Sequence, residues 1–345
     1  MSSGSSSSYG FLRRMLEFLV DILWRNYYWP DGTMLFLKPG QSLAKKIIKE
    51  YEITHLISVG IPFTNHWIAR QLKRDDPAIK WLLDIQDVFS YSDEFRVNNF
   101  KRYSEKNLKA DREVFELADC ISITNENARD RYIDLFPWAA DKTFVIPPLL
   151  IAEDTEYQIS RSDPEKKRLA YFGSFYENVR SPEAFLHFLD HMLEDLISNN
   201  VKIDIYGEQS PFSLKLFKEF PQLDPILELK GFIRNEELAK HLANYDILLN
   251  FGNTTNYHLP SKIVELLYYQ KPIVNFITRE DDLSKRFLEG EVELLNLNLK
   301  EMKASSEAFI QFITRERSSR AFDKSVVERF GAERIAEDYY RLLKD

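Results

Sequence analysis

The chain has 345 residues, a net charge of -8, 44% hydrophobic and 29% charged residues. That length suits about two domains of ordinary globular composition, and the acidic balance argues against a nucleic-acid binder, whose affinity rests on cations facing phosphates. The single cysteine, Cys120, excludes an internal disulfide and fits a reducing cytoplasm; within "ADCISIT" it reads as an inert strand start.

Residues 1–10, "MSSGSSSSYG", are a low-complexity tail. "FLRRMLEFLVDILWR", residues 11–25, carries a narrow polar stripe at 13, 14, 17, 21 and 25. It packs on its own domain or lies on a membrane surface, with Arg13 and Arg14 near anionic head groups. Nothing in the sequence reaches the run of about 18 apolar residues that a spanning helix needs. Strands are expected at "THLISV", "IKWLLDI", "CISIT" and "TFVIP", with "TMLFL" a candidate fifth, and helices near 41–51, 64–74, 99–117 and 126–135. "VIPPLLIAED" reads as an interdomain connection, because two prolines continue neither a helix nor a central strand.

From residue 169 strands and helices alternate. "LAYFG" ends at Gly173; Ser181 and Pro182 are the expected N-cap and first residue of a helix whose apolar positions run from Phe185 to Leu196. "VKIDIYG" and "ILELKGF" follow, then a helix capped by Asn235, "DILLNFG", a helix from Pro260, "PIVNF" and "VELLNL". Six strands joined by helices imply right-handed crossovers and a parallel sheet covered on both faces, a complete Rossmann-like domain. The expected division is a tail at 1–10, a short domain at 11–150, a second at 151–325, and a helix at 326–345 docking back on the body.

Several chemistries lack their motifs. The sequence has no Gly-x-Gly, no Gly-Lys-Ser/Thr loop, no Gly-x-Ser-x-Gly, no His-Glu-x-x-His and no Asp-x-Asp. His187 and His191, four apart, read as a solvated helix surface and not as a metal site, so no metal is expected. Polar residues gather instead after the strands of the second half: Gly173–Ser174, Gly207–Glu208, Gly231–Phe232, Asn250 to Asn253, and 258–262. Ligands of open parallel sheets bind outside the carboxyl ends of the strands.

The series "AYFGSFYENVRSPEAFLHFL", "IDIYGE", "LKGFIRNEELAKHLANYDILLNF" and "HLPSKIVELLYYQKPIV" resembles the donor domain of GT-B glycosyltransferases of the large retaining family four, the group 1 glycosyl transferases. "ITHLISVGIPFTNHWIARQLKRDDPAIKWLLDIQDVF" is similar to a variant found among enzymes of bacterial surface polysaccharide synthesis. The resemblance implies an α/β chain of the GT-B class: two Rossmann-like domains facing a cleft, the N-terminal one incomplete. It also implies a nucleotide sugar, UDP-linked, as co-substrate without a further cofactor, and a glycan or lipid-linked acceptor. The setting would be cytoplasmic or peripheral on the inner membrane face.

A helix opening at Pro260 would turn its free N–H groups on a diphosphate, with Lys262 adding a full charge. Glu265, one turn beyond Ser261, would accept both ribose hydroxyls, the part the family gives the second acid of its Glu-x7-Glu motif. Arg180 would stabilise charge on the β-phosphate. Phe232, Ile233 and Arg234 would hold the base, while Gly173, Ser174, Gly207, Asn253, His258 and Leu259 line the donor side. On the acceptor side stand Asn65, His66, Asp84 and Asp87; Asp87 orients a hydroxyl, acts as base, or is an ordinary loop acid, and His66 binds or only packs.

Two positions depart from the pattern: eight residues before Glu265 stands Tyr257, not an acid, and Ser174 follows Gly173 where the family has arginine. A non-catalytic subunit of a polysaccharide assembly complex is therefore the alternative, and a sheet lacking its first strands would expose an edge or be completed by another chain. A nucleotide-sugar epimerase of similar architecture would need more acids and histidines around the sugar than the sequence supplies.

Overall fold

A computed structural model describes residues 27–91, 97–150, 166–234, 237, 241–242, 244–260, 262–317 and 325–344. The tail, the 11–25 segment with its membrane-surface reading, the Asn235 cap and Ser261 lie outside the described residues. Contacts divide the chain into two units: one runs to Ile146 and takes in the end of the last helix from Tyr339, the other spans Pro147–Asp338.

In the first unit α1 (Leu37–Tyr51) leads to β1 (His55–Gly60), α2 (Thr64–Asp75), β2 (Lys80–Ile85), α3 (Phe100–Leu117), β3 (Cys120–Ile123), α4 (Glu126–Leu135) and β4 (Thr143–Val145). The four strands are parallel in the order β1-β2-β3-β4. "TMLFL" is not a strand: Met34–Phe36 form a 3-10 turn running into α1. Asp31 explains why the chain turns there, since its carboxylate accepts from the Thr33 N–H at 2.9 Å and from the Thr64 N–H at 2.8 Å, and so holds the turn against the start of α2. Asn99 and Asn125 cap α3 and α4 with side-chain oxygens, as short polar residues at helix starts do.

The second unit holds β5 (Lys167–Phe172), α5 (Glu183–His191), α6 (Leu193–Ser198), β6 (Val201–Tyr206), α7 (Pro211–Lys218), β7 (Leu227–Gly231), β8 (Ile247–Phe251), α8 (Ile263–Tyr268), β9 (Ile273–Ile277), α9 (Leu283–Leu288), β10 (Leu294–Asn298), α10 (Met302–Thr314), α11 (Ser325–Phe330) and the start of α12 (Ala332–Lys344), as far as Asp338. Its sheet order is β10-β9-β8-β5-β6-β7, all parallel. The winding direction reverses between β5 and β8, the topological switch point of a doubly wound sheet.

Alternation along β5 sends Leu169 and Tyr171 to one core and Ala170 and Phe172 to the other, which is why the strand is apolar from Leu169 to Phe172. The first core is sealed below the end of β8 by Phe185, Phe251 and Phe276, with ring centroids 4.9–5.0 Å apart. Each such ring contributes roughly 1.5–3 kcal/mol on burial. The α5 helix starts at Glu183, one residue later than the Ser–Pro signal suggests; the Ser181 hydroxyl still accepts the Glu183 N–H at 3.2 Å. Asn250, Asn275 and Asn296 share one register across β8, β9 and β10 and form an amide ladder with both links at 2.8 Å. A one-residue slip would break both links, so the ladder fixes register, and Asn250 is committed inside the sheet rather than free at a strand end.

Candidate functional site

The switch point is where the second unit concentrates its polar groups. Gly173 follows β5, and Gly252 and Asn253 follow β8, its neighbour in the sheet. Arg180 returns to this spot through a short antiparallel bridge with Tyr176. Its Nη1 donates to the Tyr171 hydroxyl at 2.8 Å, and its Nε and Nη2 donate to Asn253 Oδ1 at 3.2 and 2.7 Å. These partners are neutral. The guanidinium is thus oriented by two uncharged side chains, an arrangement suited to an anion.

Asn253 is itself fixed. Its Nδ2 donates to the His258 carbonyl at 2.8 Å, and its own carbonyl accepts the Thr278 hydroxyl at 3.0 Å. His258 is buried, with Nδ1 3.0 Å from the Thr255 hydroxyl and its ring against Tyr257. The loop after β8 is therefore tied to the loops after β5 and β9. Tyr171, missed by the sequence reading, is the partner that makes Arg180 rigid; an apolar strand gives no signal that one of its tyrosines ends in a polar contact.

Gly207 follows β6 at φ +129°, and a Cβ there would lie 2.3 Å from the Gly173 carbonyl oxygen. Only glycine lets these two strand ends close up. Gln209 sits beside them, its Nε2 3.2 Å from the Gly207 carbonyl. Ser174 offers its carbonyl to the Tyr171 hydroxyl at 3.4 Å. Beyond β7, Phe232 is 77% exposed and Arg234 is exposed, whereas Ile233 packs on the core, as does Leu259.

The helix that the Leu-Pro-Ser-Lys step opens begins later than the sequence signal: α8 starts at Ile263 with Lys262 at its cap, and the Pro260 carbonyl accepts the Ile263 N–H at 3.0 Å. The Ile263 N–H is therefore spent on that turn and is not free at the helix start. Glu265 lies in the first turn of α8, and its Oε2 is buried with no hydrogen-bond partner among the described residues. Burial raises its carboxyl above the usual range, opposed by its own backbone N–H and by the Lys262 charge. A buried acceptor without a donor is costly unless a ligand supplies one.

In the first unit the sequence candidates separate. His66 is buried in α2, its Nδ1 2.8 Å from the Ser58 hydroxyl, which in turn accepts the Trp81 indole N–H at 2.8 Å. Burial, only partly offset by Asp31, lowers its pKa to about 3. Asp84 accepts from Ser122 at 2.6 Å and from Gln86 at 2.7 Å, and also bonds the Tyr339 hydroxyl. Both side chains are spent on internal contacts. Asn65 donates to the Val59 carbonyl at 3.1 Å. Asp87 reaches solvent past the end of β2, and the protein packed about it raises its carboxyl. His187 and His191 are exposed on α5, and His187 meets Phe220 edge-on at 4.9 Å.

Two parallel sheets wound as Rossmann-like domains define the GT-B class of fold, and the chain has that fold. No protein-family model and no curated protein sequence matches it. Solved structures do. It is similar to an α,α-trehalose-phosphate synthase (UDP-forming) from Burkholderia xenovorans in complex with glucose-6-phosphate, at 11% identity and a TM-score of 0.64, over 90% of this chain and 78% of that one. It is similar to the lipopolysaccharide outer core galactosyltransferase WaaB, at 11% identity and a TM-score of 0.59, over 91% and 81%. A UDP complex of S. aureus MnaA aligns at 11% identity and a TM-score of 0.51, over 91% and 84%. At such identities the likeness is one of fold. Among the described residues no helix is long and apolar enough to cross a membrane.

Proposed function

We propose that the chain is a glycosyltransferase that moves a sugar from a UDP-sugar to a glycan or lipid-linked acceptor, with retention and without a metal, in the cytoplasm. The observation that carries this reading is Arg180, held by neutral Tyr171 and Asn253 at the switch point. The fold neighbours support it, two of them being named with UDP or as UDP-forming.

In this reading Arg180 faces the diphosphate, and Lys262 adds charge at the start of α8. The buried Glu265 Oε2 accepts a ribose hydroxyl, which supplies its missing donor. As the bond from the sugar's anomeric carbon to the diphosphate oxygen breaks, negative charge grows on the leaving group, and cations fixed in advance stabilise it without reorganising. The anomeric carbon bonds the acceptor oxygen on the same face, and the acceptor's proton passes to the departing diphosphate. Asp87, an acid that reaches solvent past the end of β2, is assigned to orienting the acceptor.

A non-catalytic subunit is the second reading, favoured by Tyr257 where an acid would stand and by the internal engagement of Asp84 and His66. Incubating the purified chain with UDP-glucose, UDP-galactose and UDP-N-acetylglucosamine separates the two. Release of UDP above the buffer rate is the expected result; saturable binding with no release under any acceptor tried would favour the subunit.

A further inference from the structure

The loop between β9 and α9 brings a further acid to the switch point. Asp282 is 1% exposed, and its Oδ1 accepts the Lys285 N–H at 3.1 Å, capping α9. Its Oδ2 is buried with no hydrogen-bond partner among the described residues. That oxygen occupies the space where a side chain at position 252 would begin: a Cβ on Gly252 would stand 1.9 Å from it. Asp282 thus reaches over the carboxyl end of β8, next to the residue that holds Arg180.

The Arg180 charge acts on this carboxyl, which burial raises and which the Lys285 and Ser284 groups and Arg180 lower. Ser284 is also buried, and its hydroxyl and backbone N–H both act on this carboxyl. A carboxyl oxygen and a hydroxyl, both dry, sit together beside a cation. Capping α9 uses one carboxyl oxygen, and the second has no close hydrogen-bond donor among the described residues. Orphaned acceptors of this kind are rare in native interiors, because the desolvation they suffer is not returned.

We propose that Asp282 Oδ2 accepts a hydrogen bond from a hydroxyl of the donor's sugar, so that Asp282 helps to choose the sugar while Arg180 grips the diphosphate. This rests on the donor reading above. A phosphate would be repelled by the carboxylate, whereas a sugar hydroxyl is neutral, donates, and lies one bond network away from the phosphate that Arg180 faces. Gly252 is then required for the room it leaves.

Asp282→Asn keeps an oxygen for the Lys285 N–H but can put an N–H₂ where the acceptor stood. Affinities for UDP and for UDP-glucose, UDP-galactose and UDP-N-acetylglucosamine are measured by calorimetry on wild type and variant. The expected result is a loss of about tenfold or more for the UDP-hexose that wild type binds best, as for a lost hydrogen bond to a charged group, with UDP itself within about twofold. Gly252→Ala, which pushes the carboxylate aside, should show the same selective loss. Equal losses for UDP and UDP-hexose, or unchanged affinities with only a shifted melting temperature, would overturn the assignment and leave the donor reading intact. Wild-type protein that binds none of the four would overturn the donor reading itself.

Discussion

Arg180→Ala lowers kcat/KM for the donor by about 10²- to 10³-fold, the range for removing one preorganised group from a developing negative charge. The cause is specific to geometry: Nη1 is held by Tyr171 and Nη2 by Asn253 at 2.8 and 2.7 Å, so the charge needs no reorientation as the diphosphate departs. Arg180→Lys should recover only part of the loss, because an ammonium cannot span both partners and the ligand at once. Tyr171→Phe, which frees one side of the guanidinium, should cost less than Arg180→Ala. Steady-state kinetics on the three variants reads the order. Turnover of Arg180→Ala within about twofold of wild type would remove Arg180 from the chemistry.

The second large effect is on stability and concerns two buried groups of the first unit. His66, with a pKa lowered to about 3, must take up a proton on unfolding below about pH 6.5, so its contribution to stability is lost as pH falls from there toward 3. Asp111 works the other way. It is buried in α3, accepts the Ser90 N–H at 3.1 Å and the Tyr132 hydroxyl at 3.0 Å, and burial raises it to about 7 despite those bonds. Between about pH 4 and 7 the native state holds a proton there that the unfolded chain has released, so stability falls as pH rises.

Each slope is about 1.4 kcal/mol per pH unit at most and the two have opposite sign, so they offset one another in the overlap. Asp111→Asn removes one of them. Its stability relative to wild type should rise by up to about 4 kcal/mol from pH 4 to pH 7, leaving the acid loss due to His66 uncompensated. Urea denaturation across that range checks it. A wild-type-to-variant difference that does not change with pH would mean that Asp111 titrates like an exposed acid.

Much of this architecture is written in periodicity. The central strands of the second sheet coincide with apolar runs, because a strand buried on both faces must be largely apolar, and "LAYF" and "ILLNF" show that plainly. Where the reading missed, a local residue overrode the pattern. "TMLFL" is apolar enough for a strand, but Asp31 caps the turn before it and the chain enters α1 instead. Pro260 marks a helix start, yet its carbonyl closes a turn and the helix waits until Ile263.

The site was legible only in part. Arg180, Asn253 and Glu265 stand out in sequence because polar residues next to strand ends are few. Tyr171 and Asp282 do not, since one hides in an apolar strand and the other reads as an ordinary cap. Asp84 and His66 show the converse. Polar residues near a strand end can be consumed by the fold, and nothing in the local sequence distinguishes them from ones left for a ligand.

The central claim is that Arg180 and its two neutral partners form a diphosphate site at the β5–β8 switch point. Calorimetric titration of UDP into wild type and into Arg180→Ala tests it most directly. One saturable site in the wild type that weakens at least about tenfold in the variant, as for loss of a charge-assisted bond, is the predicted result. Heats indistinguishable from dilution in the wild type, or equal affinity in both proteins, would contradict it.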